Sequence, residues 1–303
     1  MAIIKCPECG KDVSDQAEVC VHCGYPLAKG KPVSDDPADA PAAPAEEKKE
    51  KPAGGRKKGL ILAVAGVLLV AAVIAVVLLV TGEKPLQVTV GQSITLGHYP
   101  QTAAGNDRTP IEWIVLDVRD GKALVISKYG LDAKPYNTEW VDTTWEHCTL
   151  RAWLNDEFLN KAFSSKEQAA ILTTEVDNSS AQGFSGWKMD YGNNTQDKVF
   201  LLSYAEAHQY FGVEHNSVSG SDQNTAARVA PTEYAIQAGP FIKRDSQTAD
   251  GKPAGYWWLR SPGTRRSRAA HVDDDGSLGD SPVSAGNYVV RPAFWVNLES
   301  GIF

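Results

Sequence analysis

IEWIVLDVRDGKALVISK, residues 111–128, places two runs of β-branched and aromatic side chains on either side of Asp120-Gly121. Asp-Gly between apolar runs predicts a two-residue hairpin, because both turn positions need positive φ and Gly adopts it at no steric cost. Upstream, Val88, Val90, Ile94 and Leu96 around Gly91 predict an earlier hairpin. Downstream, a helix is predicted near 148–163, with Leu150, Leu154 and Phe158 on one face and Trp153 beside them. Ser165 with Gln168, and Ser203 with Glu206, have the spacing of capping boxes for two further helices. VFLLS at 199–203, YWWLR at 256–260, AAHVD at 269–273 and FWVNL at 294–298 read as strands. No Pro/Gly-rich linker divides residues 86–303. The prediction is one α+β domain with a mixed or antiparallel sheet and short helices.

The whole chain has 303 residues, 43% hydrophobic and 22% charged, which excludes wholesale disorder and collagen-like repeats. Thirty basic and 37 acidic residues give a net charge of −7, which argues against nucleic acid as a partner. The average hides three unlike pieces. Residues 1–59 carry ten basic and ten acidic side chains, residues 60–80 none, and residues 81–303 the remaining 20 and 27. All eight Trp lie in the last piece.

Four of the five cysteines form two pairs, Cys6-Pro-Glu-Cys9 and Cys20-Val-His-Cys23. Two such knuckles bring four thiolates into a closed tetrahedral shell, which suits structural zinc and leaves no position for chemistry. Two disulfides are the alternative, and His22 is an alternative ligand. The segment 4–27 resembles the short zinc-ribbon family of bacterial membrane proteins, through CPECG and CVHCGYPL. A ribbon this small has little core, so zinc would supply much of its folding free energy.

Residues 28–59 are rich in Ala, Pro, Lys, Glu and Asp without apolar periodicity, and read as a disordered tether. Leu60–Val80 is an uninterrupted apolar run of fifteen Leu, Ile or Val, five Ala and Gly66. As a helix it would measure ~31 Å, close to the hydrocarbon thickness of a bilayer. A cleavable signal peptide fits less well, given the long segment before it and the absence of an A-x-A-like site after it. Lys48, Lys49, Lys51, Arg56, Lys57 and Lys58 precede the run, and only Lys84 follows closely. The positive-inside rule then predicts a single-pass protein of the bacterial cell membrane, N-terminus cytoplasmic and C-terminus extracytoplasmic. Thiolate chemistry gives the same topology, since zinc-binding cysteines stay reduced inside and the exported piece keeps one lone Cys148. The predicted organisation is zinc ribbon 1–27, linker 28–59, transmembrane helix 60–80, stalk and first hairpin 81–93, and extracytoplasmic domain 94–303.

ITLGHYPQ, IEWIVLDV, TLRAWLNDEF, VFLLSYAEA, WWLRSPG and VVRPAFWVNL occur in this order across residues 94–298. Together they resemble a family known only as a domain of unknown function, common on bacterial surface proteins and often joined to a zinc ribbon and one membrane span. That family looks related to the C-type-lectin-like fold shared by formylglycine-generating enzymes and the display proteins of diversity-generating retroelements. The resemblance implies a compact scaffold with an irregular C-terminal half that presents a binding face, and it carries no reaction. It also implies that Trp258, Leu259 and Arg260 are structural.

A formylglycine-generating site needs two cysteines, and only Cys148 is exported. No HExxH or GxSxG motif occurs. A glycosidase-like carboxylate pair is neither supported nor excluded by sequence. Asp273-Asp274-Asp275-Gly276 invites a calcium reading, but in EF-hand register the first ligand would be His271 and the twelfth Pro282. A hairpin turn on Asp275-Gly276 is the simpler expectation, with calcium in an irregular site as the alternative. Arg265, Arg266, Arg268, His271, Asp273, Asn287 and Tyr288 are the predicted ligand contacts, since Arg and aromatic residues anchor recognition surfaces. A solvated loop with no ligand is the plain alternative. The expected function is non-catalytic binding of an envelope polymer or an extracellular protein. A surface hydrolase and an assembly or signalling component with a cytoplasmic partner for the ribbon are the competing classes.

Overall fold

The computed structural model describes residues 3–5, 12–14, 87–215, 224–286 and 288–303. The predicted zinc ligands Cys6, Cys9, Cys20 and Cys23, the tether, the apolar run 60–80 and Asn287 lie outside these residues. Contacts divide the chain into two units, Met1–Ala71 and Ala72–Phe303. In the first, β1 (Ile3–Lys5) pairs antiparallel with β2 (Asp12–Ser14), Ile4 opposite Val13, on either side of the first cysteine pair. Among the described residues no helix is long and apolar enough to cross a membrane.

The second unit is built on the predicted hairpin. β4 (Thr109–Arg119) turns into β5 (Lys122–Ser127) with Arg119 opposite Lys122. Asp120 and Gly121 have φ of 50° and 69°, the pair of positive values that a type I′ turn requires. β3 (Ser93–Tyr99) adds to the free edge of β4, and β15 (Ala293–Asn297) to that of β5. The hairpin expected around Gly91 does not form. Residues 87–90 form no strand; the Gly91 amide donates instead to the Val115 carbonyl (2.8 Å), so the turn docks onto β4.

A second sheet has the order β13-β12-β11-β14-β6, with β6 at Asp132–Ala133, β11 at Trp257–Pro262, β12 at Arg268–Val272, β13 at Leu278–Pro282 and β14 at Val289–Val290. β11 runs parallel to β14 and antiparallel to β12, so this sheet is mixed, as the sequence suggested. Two small ribbons complete the strands: β7 (Thr174–Val176) with β8 (Thr195–Asp197), and β9 (Ile242–Gln247) with β10 (Pro253–Gly255). VFLLS is buried throughout but forms no ladder. Phe200 makes a single bridge to Ala293.

The helix predicted near 148–163 is α1 (Thr149–Trp153), a π turn (Leu154–Phe158) and α2 (Leu159–Ala162). A four-residue spacing drifts around a 3.6-residue helix, and the wider π turn offsets that drift. Leu150, Leu154 and Phe158 are accordingly all buried. Cys148 caps this helix, its Sγ accepting from the Arg151 amide at 3.4 Å. Burial pushes its thiol up to about 12, so Cys148 is a buried structural residue with negligible thiolate at neutral pH.

The next helix, α3 (Ser165–Ala170), is capped one residue earlier than expected, by Ser164 with Glu167. α4 (Tyr204–Phe211) has the predicted box of Ser203 and Glu206. Thr232 caps a short α5 (Glu233–Gln237).

The core is rich in Trp, and the four indoles buried to 1% or less each find an acceptor. Trp113 Nε1 donates to Leu96 O, Trp145 to Asp197, Trp257 to Ala227 O and Trp258 to Lys134 O, at 2.8–2.9 Å. Satisfying the N–H removes the main cost of burying so large a ring. Arg260 sits among them at 2% exposure. It pairs with Glu206 and donates to Leu201 O (3.0 Å), Asp177 O (3.0 Å) and Asn178 Oδ1 (3.3 Å). The structural role implied for Trp258, Leu259 and Arg260 matches their near-complete burial. Breaking a fully buried pair costs about 3–5 kcal/mol, an upper bound here because Glu206 keeps 26% of its side-chain surface exposed. Arg260→Met is therefore expected to lower unfolding stability by that order, measured by urea denaturation, while a surface change such as Arg265→Met leaves it unchanged.

Candidate functional site

The loop between β11 and β12 carries TRRSR, as expected, and Arg265 and Arg266 are exposed on it. Arg266 faces Asp190 at 3.8 Å, a solvent-screened pair. Arg268 turns inward instead. Its Nε lies 2.7 Å from Asp280 Oδ2, and the same carboxylate accepts from Thr264 N (2.8 Å) and Oγ1 (2.7 Å). His271 is buried, with Nε2 2.7 Å from Asp273 Oδ1 and its ring stacked on Tyr256. Gly279 opposite makes room for that pair, since a Cβ there would lie 2.5 Å from His271 Nε2. Tyr288 is also buried, its ring 4.2 Å from Trp258 and its hydroxyl 2.5 Å from Ser281 Oγ. Of the predicted contacts, then, Arg265 and Arg266 face solvent. Arg268, His271, Asp273 and Tyr288 hold one another's neighbourhood together.

The acidic run forms the hairpin turn between β12 and β13. Gly276 N donates to Asp273 O (3.0 Å) and Asp273 N to Ser277 O (2.8 Å). Its three carboxylates diverge. Asp273 meets His271, Asp274 accepts from Ser246 Oγ, and Asp275 accepts from Ser277 N and Oγ. Among the described residues no group of three or more His, Cys, Asp or Glu converges as metal ligands, and the run offers calcium no shared centre.

Two features went unread in the sequence. The first is Trp140, which is 72% exposed, next to Val141 at 46%. Their loop is fastened at its base. Asn137 N donates to Val283 O (2.8 Å), Thr149 N to Asn137 Oδ1 (3.1 Å), and Thr143 N to Arg266 O (3.1 Å). The last bond ties this loop to the TRRSR loop, joining an exposed indole to the exposed arginines. Aromatic rings on a pre-ordered loop bind with little entropic cost, and Trp and Arg dominate binding hot spots. Sequence alone does not separate Trp140 from buried Trp145 five residues on.

The second is a groove of about 780 Å³ beside the β9–β10 ribbon and α5. Tyr129, Ile236, Ile242, Arg244 and Lys252 line it. Lys252 Nζ lies 4.1 Å from the Tyr129 ring centroid, and contact with the Tyr129 hydroxyl holds its ammonium above the ordinary lysine range. These residues come from four separate stretches, so no spacing in the sequence marks them.

A family model described as a domain of unknown function (DUF6273) matches residues 120–298, and a zinc-ribbon domain model matches residues 2–27. No curated protein and no solved structure matches the chain.

The Arg268–Asp280 clamp makes stability depend on acid. Burial raises the Asp280 carboxyl, but the hydrogen bonds from Arg268 and Thr264 outweigh it and hold it below the ordinary range. A depressed folded pKa contributes stability above the unfolded value and loses it as pH falls below about 4. Urea midpoints followed from about pH 5 down to pH 2 are expected to fall less steeply in Asp280→Asn than in the wild type.

Proposed function

The chain belongs to the DUF6273 family and carries a zinc-ribbon domain at residues 2–27, and from this premise we propose that it is a single-pass membrane protein whose C-terminal unit binds an extracytoplasmic ligand without catalysis. The observation that carries the binding reading is Trp140, exposed on a hydrogen-bonded loop beside Arg265 and Arg266. A flat ring next to guanidinium donors suits an envelope polysaccharide, by stacking and hydrogen bonding, or the surface of another protein. The groove at Tyr129 favours a second reading, a smaller ligand held in a cleft of drug-like size. The C-type-lectin-like scaffold belongs to this proposal and is supported by the six ordered motifs.

Cys6, Cys9, Cys20 and Cys23 are the proposed zinc ligands, supported by the zinc-ribbon match and by their pairing as two CxxC knuckles. The apolar run 60–80 and the lysines before it support a cytoplasmic ribbon and an exported C-terminus.

Binding is tested with the full chain in detergent on an array of envelope glycans and envelope proteins. Trp140→Ala and the double Arg265→Ala/Arg266→Ala variant are each expected to weaken binding about tenfold or more. Equal binding by wild type and variants overturns the contact assignment.

Topology is tested on intact cells with Phe303→Cys and an impermeant maleimide. Labelling is expected, since Phe303 is 41% exposed and Cys148 is buried and protonated. Labelling that appears only after lysis overturns the orientation.

A further inference from the structure

We propose that a recess walled by Arg291, Arg228, Lys128 and Tyr129 binds a single oxoanion group, a phosphate or a carboxylate. The recess measures about 270 Å³ and lies where the chain after β5, the segment 225–230 and the turn 248–250 meet. It shares Tyr129 and Ala230 with the groove described above, but the proposal stands on the recess alone.

Arg291 carries the argument. It is 2% exposed, and its Nε donates to Ser127 O at 3.0 Å. Its guanidinium lies 4.8 Å from the Phe211 ring centroid and 5.0 Å from that of Trp257. Ring contacts of this kind satisfy the faces of the cation. The N–H donors point out along its edge and need acceptors of their own. Nη1 is buried and has no hydrogen-bond partner among the described residues. No carboxylate among them pairs with the guanidinium either, unlike Arg260 with Glu206 or Arg268 with Asp280. Burial without a counter-charge pulls its pKa down to about 9. A buried guanidinium with a vacant edge donor beside a cavity is a place for an anion, which a planar fork binds better than any other side chain does.

The remaining wall has the same sign. Arg228 Nη1 donates to Gln247 O at 2.6 Å, and Lys128 Nζ lies 2.8 Å from Glu112 and 5.3 Å from the Tyr129 ring centroid. The one acid on the recess, Asp250, is engaged by Thr248 Oγ1 at 2.5 Å and lies 3.7 Å from Lys252 Nζ. Glu112 balances Lys128 and Lys252 faces Asp250, so the charge left without a carboxylate partner on the recess is that of Arg291, and a structural water at Nη1 would supply an acceptor but no charge. Thr225 and Ala226 are exposed at the mouth, so an anion has a way in.

The test uses the full chain in detergent with inorganic phosphate and, separately, acetate as probes. Equilibrium dialysis and the melting temperature are read in the wild type, Arg291→Gln and Ala226→Glu. The expected result is saturable one-to-one binding of at least one probe, with a melting temperature that rises with its concentration. Both variants are expected to weaken that binding at least about tenfold. Phosphate alone points to a phosphoester ligand and acetate alone to a carboxylate ligand, and either supports the site. Ala226→Glu places a fixed carboxylate at the exposed mouth and decides the matter by itself if Arg291→Gln fails to fold. No saturable binding of either probe up to about 50 mM overturns the proposal. So does binding of unchanged strength in Ala226→Glu. Neither probe requires a groove ligand or Trp140, so this failure and failure of the binding reading are separable.

Discussion

The pairing of buried Arg260 with partly exposed Glu206 is the contact on which the second unit is assembled. Glu206 also completes the capping box of α4 by accepting from Ser203 N at 2.9 Å. Arg260 sits on β11, and its other donors reach backbone carbonyls at Asp177 and Leu201. One guanidinium thus fixes a helix start, a strand of the mixed sheet and the long excursion between residues 177 and 203. Tyr136 adds a fourth segment through its hydroxyl on Arg260 O at 2.9 Å. Holding a charge so deep is costly, and here five hydrogen bonds from the guanidinium offset that cost.

The Trp residues show the same economy of polar groups. Four indoles are buried to the hilt with their N–H bonded, three of them to main-chain carbonyls at irregular points of the chain: Leu96 at the bulge of β3, Ala227 at the end of a 3-10 turn, and Lys134 just after β6. Large rings therefore serve as both core and loop fasteners, which suits a fold with short strands and long connections. Trp140 departs from this use and is the natural place to look for contact with something outside the chain.

What the sequence made legible was local. Asp120-Gly121 declared its turn because Asp and Gly both tolerate the positive φ of a type I′ hairpin, and Ser203 with Glu206 declared a helix start by reciprocal capping. The same local logic misfired where two frames were equally good. Ser164 and Ser165 each precede an amide or carboxylate acceptor three residues on, and the charged Glu167 wins, its Oε1 also accepting from Gly97 N at 3.0 Å. Gly91 was read as a hairpin, but a positive φ serves equally to dock a turn on β4. The inward turn of Arg268 depended on Asp280, twelve residues away across a hairpin whose register the sequence does not print. The groove was invisible for a related reason, because Tyr129, Ile236 and Lys252 meet only after the sheets have formed.

β15, near the end of the chain, is an outer strand of the first sheet and bridges to Phe200 and Ile171 as well. Its ladder partner β5 was synthesised some 170 residues earlier. Until β15 is made, that early hairpin has an unpaired edge, and Trp113 lacks its contact with Phe294. A chain lacking β15 would keep that edge open to pairing with another strand.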